Sequence, residues 1–196
     1  MDPPRHDELR AILARVLTPV RVASLEGSIR ASAGEILDEV LEVGTFDAAK
    51  DYSQLIPTLT MCELMDLPTA DRAQFLKWNM DTLAGDDFTS DQALKAYQEM
   101  GDYWTGLVAA RRERRGEDLI SQILHFQGAD RGSAKVEPLS DEEIGGFCSL
   151  LHDASQNTTM NMIANGIIAL ATFPDQRRKL TADPSRWPSA LAEVMR

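Results

Sequence analysis

A run of small and polar residues, Asp153-Ala154-Ser155-Gln156-Asn157-Thr158-Thr159, sits among the apolar Phe147, Leu150, Leu151, Ile163 and Ile167. Ser, Asn and Thr compete with a helix by hydrogen-bonding back to the preceding turn. Such a cluster therefore predicts a local kink or widening, a device found at functional sites. A polar contact between two helices accounts for the same run equally well. His6 and Arg10 are four apart, a spacing that on one helix face clamps an anionic group between two donors; a surface histidine beside a solvated arginine is the plainer account. Glu193 and Arg196, three apart, match an ordinary exposed helix ion pair. Cys62 and Cys148 stand far apart, each in an apolar stretch. They read as buried free thiols of a reducing compartment, which points to the cytoplasm, rather than as a disulfide or a metal knuckle.

The elements that must position these residues are helical. Apolar residues recur at three and four, as in Leu9, Ile12, Leu13, Val16, Leu17 and in Ile36, Leu37, Val40, Leu41, and strand-like alternation is nearly absent. Pro3 and Pro4 suit a helix start, Thr18-Pro19 begins a second helix running to Val43, and Gly44 stops it. After an irregular stretch from Thr45 to Asp51, a helix from Tyr52 to Leu67 is closed by Pro68. Further helices are expected over Ala70 to Leu83, Ser90 to Arg115 and Glu117 to Phe126, with breaks at Gly85-Asp86-Asp87 and Gly116. Gly128 to Pro138 reads as a solvated loop. Ser140 followed by Glu143 makes a capping box. No proline intervenes until Phe173, so that helix runs for about 34 residues, roughly 50 Å at 1.5 Å per residue. Pro174 opens a short helix to Ala182, and Pro184 to Pro188 lead into a last one still running at Arg196. Both ends of the chain read as cut.

With 196 residues and 43% hydrophobic content, the chain is long enough to bury a core. Its formal net charge of −11, from 31 acidic and 20 basic residues, argues against nucleic acid as a partner. No stretch approaches the ~20 apolar residues of a membrane helix, so no membrane partner is expected. The start lacks the apolar core of a signal peptide. Arg111-Arg112-Glu113-Arg114-Arg115 is read as a solvated helix end, favoured by the helix dipole. Asp86-Asp87-Phe88-Thr89-Ser90-Asp91 superficially suggests a magnesium-binding terpene synthase motif. Its register is off by one, and no second metal motif follows.

Taken in order, these signals resemble the cytochrome P-450 family, and the resemblance covers the whole chain. Asp2-Pro3-Pro4-Arg5-His6-Asp7-Glu8-Leu9-Arg10, followed by Leu17-Thr18-Pro19, looks like the bacterial entry to the family's C helix. Asp118-Leu119-Ile120-Ser121 resembles the start of its H helix, and Leu139-Ser140-Asp141-Glu142-Glu143-Ile144 the lead into its I helix. Ala154 to Thr159 occupies the I-helix oxygen-activation motif, and Glu193-Val194-Met195-Arg196 the K-helix Glu-x-x-Arg. The resemblance implies a mainly α chain, a partial single P-450 domain over residues 1–196 with a long central I helix. It implies a haem b monooxygenase that inserts one atom of dioxygen into a small organic substrate, with electrons from a ferredoxin or flavoprotein. It assigns His6 and Arg10 to the haem propionates, Ala154 to the haem face, Thr158 to orienting water, and Glu193 and Arg196 to a structural pair.

Two departures qualify that resemblance. Ser155 stands where glycine is usual, and Asn157 where the family has an acid that relays protons. Asn cannot ionise, though it can hold a water. Restoring Asn157→Asp in a complete version is therefore expected to change the coupling of reductant to product, and equal coupling in both would remove Asn157 from proton delivery. The family's Phe-x-x-Gly-x-x-x-Cys-x-Gly loop, which supplies the thiolate ligand to iron, is not in this sequence. Neither Cys62 nor Cys148 has its glycine-rich surroundings, so the 196-residue chain alone is expected to be inactive. The competing reading is a non-enzymatic helical remnant or interaction module of the same family, whose exposed apolar residues a partner would cover.

Overall fold

The structure, a computed structural model, describes residues 5–83, 89–114, 116–126 and 139–196. Among them every regular element is helical. The α-helices are α1 (Arg5–Val16), α2 (Pro19–Ser24), α3 (Glu26–Val43), α4 (Leu55–Leu64), α5 (Arg72–Leu83), α6 (Asp91–Glu113), α7 (Leu119–Phe126), α8 (Asp141–Thr172), α9 (Pro174–Ala182) and α10 (Trp187–Val194). A π-helical turn lies at Ala48–Ser53, and 3-10 turns lie at Thr69–Asp71 and Pro184–Arg186. The expected proline pair at 3 and 4, the Gly85-Asp86-Asp87 break, Arg115 and the loop from Gly128 to Pro138 lie outside the described residues.

Local chemistry sets the boundaries that the apolar pattern only approximates. The Ser140 hydroxyl accepts from the Glu143 amide at 3.1 Å while the Glu143 carboxylate accepts from the Ser140 amide at 2.8 Å, so α8 opens on a complete capping box. Gly44 takes φ +81° at the end of α3, the left-handed conformation that ends a helix without a Cβ penalty. Thr18 caps the amide of Arg21 at 3.3 Å. The single helix expected from Pro19 to Val43 is in fact two, divided at Leu25.

The helix expected from Tyr52 to Leu67 is also corrected. Asp47 accepts from the amides of Ala49 and Lys50, and the Asp51 carboxylate accepts from the Asp47 amide at 2.8 Å. These bonds wind Ala48–Ser53 into a wide turn ahead of α4. At its other end α4 stops before Asp66, whose φ of 50° takes the chain out of the helix. The last helix ends at Val194 rather than running through Arg196.

The main core is built from α1, α4, α5, α6, α7 and the first half of α8. Phe75 is its hub: its ring centroid lies 5.1 Å from those of Trp78 and Tyr103 and 5.2 Å from Trp104. Burying each such side chain contributes about 1.5–3 kcal/mol. A smaller core of Ile36, Val40 and Ile56 joins α3 to α4, with Ile163 of α8 packed against it. The long helix therefore threads both cores. It meets α6 closely at Gly145, where a Cβ would lie 3.3 Å from Thr105 Oγ1 and 3.5 Å from the Thr105 amide nitrogen. Only hydrogen fits there without a shift.

The arginine cluster at the end of α6 is not simply solvated, which corrects the expectation for it. Arg111 Nε donates to Asp118 Oδ2 at 2.8 Å, and the Asp118 side chain is fully buried. Arg112 pairs with Asp141 at the start of α8. The reason is tertiary: the turn between α6 and α7 folds Asp118 under the α6 terminus, where it also accepts from the Ser121 hydroxyl at 2.7 Å.

Candidate active site

The polar run sits midway along α8, and the predicted widening is absent: Asp141–Thr172 is α-helical throughout. The hydroxyls do bond backward, Ser155 Oγ to the carbonyl of His152 at 2.9 Å and Thr158 Oγ1 to that of Ala154 at 2.6 Å. Each carbonyl accepts a second bond while the backbone ladder stays intact, so the helix accommodates the cluster without opening.

The run divides by face. Gly146, Leu150, Ala154 and Thr158, spaced four apart, form an exposed stripe. His152 and Gln156 turn the other way and are buried. Asp153 and Asn157 lie on the flank between and are half-buried. Thr158 donates to the helix backbone, which leaves its oxygen lone pairs free to accept from the open side.

Behind the stripe lies the polar contact between helices that the run allowed as its alternative, made by Gln156 and extended through His152 to Asn79, which the apolar pattern did not mark. His152 Nε2 donates to Asn79 Oδ1 at 2.8 Å, Asn79 Nδ2 reaches Thr58 Oγ1 at 3.4 Å, and Thr58 Oγ1 lies 3.1 Å from Gln156 Oε1. One network thus ties α8 to both α4 and α5. The His152 ring also lies 5.1 Å from that of Phe75, tilted 57° to it, and burial pushes its pKa down to about 4. It is neutral at neutral pH, with Nδ1 buried and unpartnered. The signal available in the sequence was the pair His152 and Gln156, polar residues four apart on an otherwise apolar stripe.

The other predicted residues stand apart from this centre. His6 and Arg10 are both exposed on α1, one turn from each other, and His6 Nδ1 lies 3.1 Å from Asp7 Oδ1. Glu193 Oε2 and Arg196 Nη1 pair at 3.2 Å, well exposed, at the end of α10. That helix packs on the second half of α8, where Val194 lies against Gly166. No hydrogen bond or ion pair joins the three groups. A cavity of about 410 Å³ opens near Glu193 between the end of α8, α9 and α10, lined by Leu170, Phe173, Leu180 and Ala190, and not at Thr158.

Both cysteines are buried, and burial raises their thiols, Cys62 to about 11 and Cys148 to about 12. Neither is suited to serve as a thiolate ligand.

No protein-family model matches the chain. It is, however, 34% identical over its whole length to the vitamin D(3) 25-hydroxylase of Pseudonocardia autotrophica, covering 47% of that protein. It is 32% identical over its whole length to the polyketide biosynthesis cytochrome P450 PksS of Bacillus subtilis, again covering 47%. The solved structure of PksS superposes on 99% of the chain with a TM-score of 0.88 at 29% identity, and covers with it 48% of its own length. The chain belongs to the cytochrome P450 superfamily. A Bacillus megaterium P450 solved in complex with testosterone matches the whole chain with a TM-score of 0.86 at 29% identity, over 52% of its own length. The chain thus spans about half the length of the P450 relatives it matches.

Membership in the P450 superfamily implies haem as the cofactor of the intact protein. The exposed stripe leaves room for a flat group against α8: Ala154 and Thr158 are small, uncovered and one turn apart. The iron's thiolate has no candidate among the described residues, because both cysteines are buried within helices. No helix among the described residues is long and apolar enough to cross a membrane.

Proposed function

We propose that this chain is part of a single P450 domain in a cytoplasmic haem-thiolate monooxygenase that inserts oxygen into a small organic substrate, with electrons from a ferredoxin or flavoprotein. The observation that carries the reading is the exposed Ala154–Thr158 turn, with the Thr158 hydroxyl tied to the Ala154 carbonyl at 2.6 Å, in the middle of a 32-residue helix. When bound, the haem iron supplies the reductive activation of dioxygen. Ala154 leaves room for the planar ring against α8. Thr158, its proton committed to the backbone, accepts a hydrogen bond from a water on the open side. Asn157, which cannot ionise, holds water through its amide. His6 and Arg10 supply donors to the anionic propionates from one face of α1. Glu193 and Arg196 act structurally.

The test is spectroscopic. Reduced, carbon-monoxide-treated complete protein should absorb at about 450 nm, the mark of a thiolate-ligated haem, and the 196-residue chain alone should not. A band from the chain alone would place the ligand within it and overturn the assignment of both cysteines; no band from the complete protein would remove the monooxygenase reading.

A further inference from the structure

Asp153 is the one carboxylate in the polar run, and neither the fold nor the function proposed above uses it. It is half-buried and makes no hydrogen bond or ion pair among the described residues, unlike carboxylates placed as deeply such as Asp71 and Asp118. Across the helix interface lies Tyr97 of α6, whose hydroxyl pKa is raised first by burial and then by the Asp153 charge. No lysine or arginine offsets it. His152 beside it turns into the core toward Phe75, and α4 meets α8 on that same inner side, at Gln156.

Its position on α8 gives this solitary carboxyl a use. Asp153 precedes Asn157 by four residues, so the two share a flank with Cβ atoms about 5–6 Å apart. Side chains on a helix lean toward its N-terminus, which tilts the Asn157 amide back over Asp153. The Asn157 side chain has no hydrogen-bond partner among the described residues, and the exposed Thr158 is the next residue along. An amide so placed can accept from a carboxylic acid through Oδ1 and donate onward through Nδ2, or hold a water that does both.

We propose that Asp153 is the proton-holding group of this site, one turn before the position where the P450 pattern has its acid, with Asn157 bridging it by hydrogen bonds to the Thr158 side. The inference rests on the monooxygenase reading given above. Each proton that leaves the Asp153 carboxyl passes along water toward the open face of α8, and the carboxylate regains one from solvent. The net proton therefore comes from bulk water, and the electrons come from the ferredoxin or flavoprotein already named. Burial supports this use by raising the Asp153 pKa to about 6, so that the group exchanges protons in the neutral range.

The test uses the complete protein and two independent readouts. The infrared carboxyl signal that disappears in Asp153→Asn should titrate near pH 6 in the unmodified protein; a midpoint at the ordinary aspartate value would overturn the proposal without any variant having to fold. Product formed per reductant consumed should fall roughly tenfold in Asp153→Asn, lose its pH dependence around 6, and recover in the double variant Asp153→Asn with Asn157→Asp. Unchanged coupling, or a loss that Asn157→Asp does not restore, would overturn it. The carbon monoxide band separates the two readings: its presence with an indifferent Asp153 defeats this inference alone, and its absence in the unmodified protein defeats the monooxygenase reading and this inference with it.

Discussion

Replacing Arg111 by alanine is expected to destabilise the protein by about 3–5 kcal/mol, the cost of leaving a buried carboxylate without its cation. The Asp118 side chain has no exposure and Arg111 retains 16%. Among the described residues, two of the three hydrogen bonds to the Asp118 carboxylate come from Ser121, whose amide and hydroxyl persist in the variant but carry no charge. The guanidinium also reaches the carbonyl of Asp66 at 3.1 Å, so the loss loosens the end of α4 as well as the start of α7. Asp118→Asn placed on top of Arg111→Ala should recover part of the loss, because a neutral amide still accepts from Ser121. Urea denaturation of the four proteins of that cycle measures it. A loss below about 1 kcal/mol for Arg111→Ala, the range of an exposed pair, would mean that Asp118 is solvated after all.

The second large effect is a change in pH dependence. His152 has a folded pKa of about 4 against an ordinary 6.5, because burial disfavours the imidazolium. The unfolded chain therefore binds the proton first. The stability that this residue contributes is complete above pH 6.5 and is lost as pH falls through about 4, by about 3 kcal/mol for a shift of this size. Asp153 works in the opposite sense. Its folded pKa of about 6 lies above the ordinary 3.8, so the burial penalty is felt above pH 6 and disappears as the carboxyl protonates. Between pH 4 and 6 the two neighbours oppose each other. His152→Gln, which can still bond to Asn79, should make the protein markedly less acid-sensitive over that window, while Asp153→Asn should make it more so. Parallel denaturation midpoints for the original protein and His152→Gln from pH 4 to 7 would show that the imidazole is not held neutral by burial.

The helical course of the chain was legible because its signals are local. Ser140 with Glu143, Gly44 and Pro174 each act within a turn of themselves, and each sets the boundary expected of it. The wide turn at Ala48–Ser53 was not legible, since carboxylate bonds from Asp47 and Asp51 leave no trace in apolar periodicity. Arg111 looked solvated for the same reason that His152 looked unremarkable: their partners, Asp118 in the turn before α7 and Asn79 on α5, arrive from outside their own helices. Residue order marks Ala154 to Thr158 as a polar run within an apolar helix. It could not reveal that Asp153 is half-buried without a partner, because that depends on where α6 lies across the helix.

The close crossing at Gly145 has a mechanical side. From there to Thr172 the helix extends about 40 Å, and Thr158 lies about 20 Å along it. α8 is held by α6, α7 and, at Gln156, α4; farther out the π-helical turn, Ile163 and the small helices α9 and α10 support it. It is a beam fixed at one end and propped at the other. A methyl group at 145 would push against Thr105, and a displacement of tenths of an ångström at the root is felt along the unpropped middle of the helix, where Thr158 lies. Alignment of the Ala154–Thr158 turn, about half-way along the beam, is thus set at its root by the side chain that Gly145 lacks.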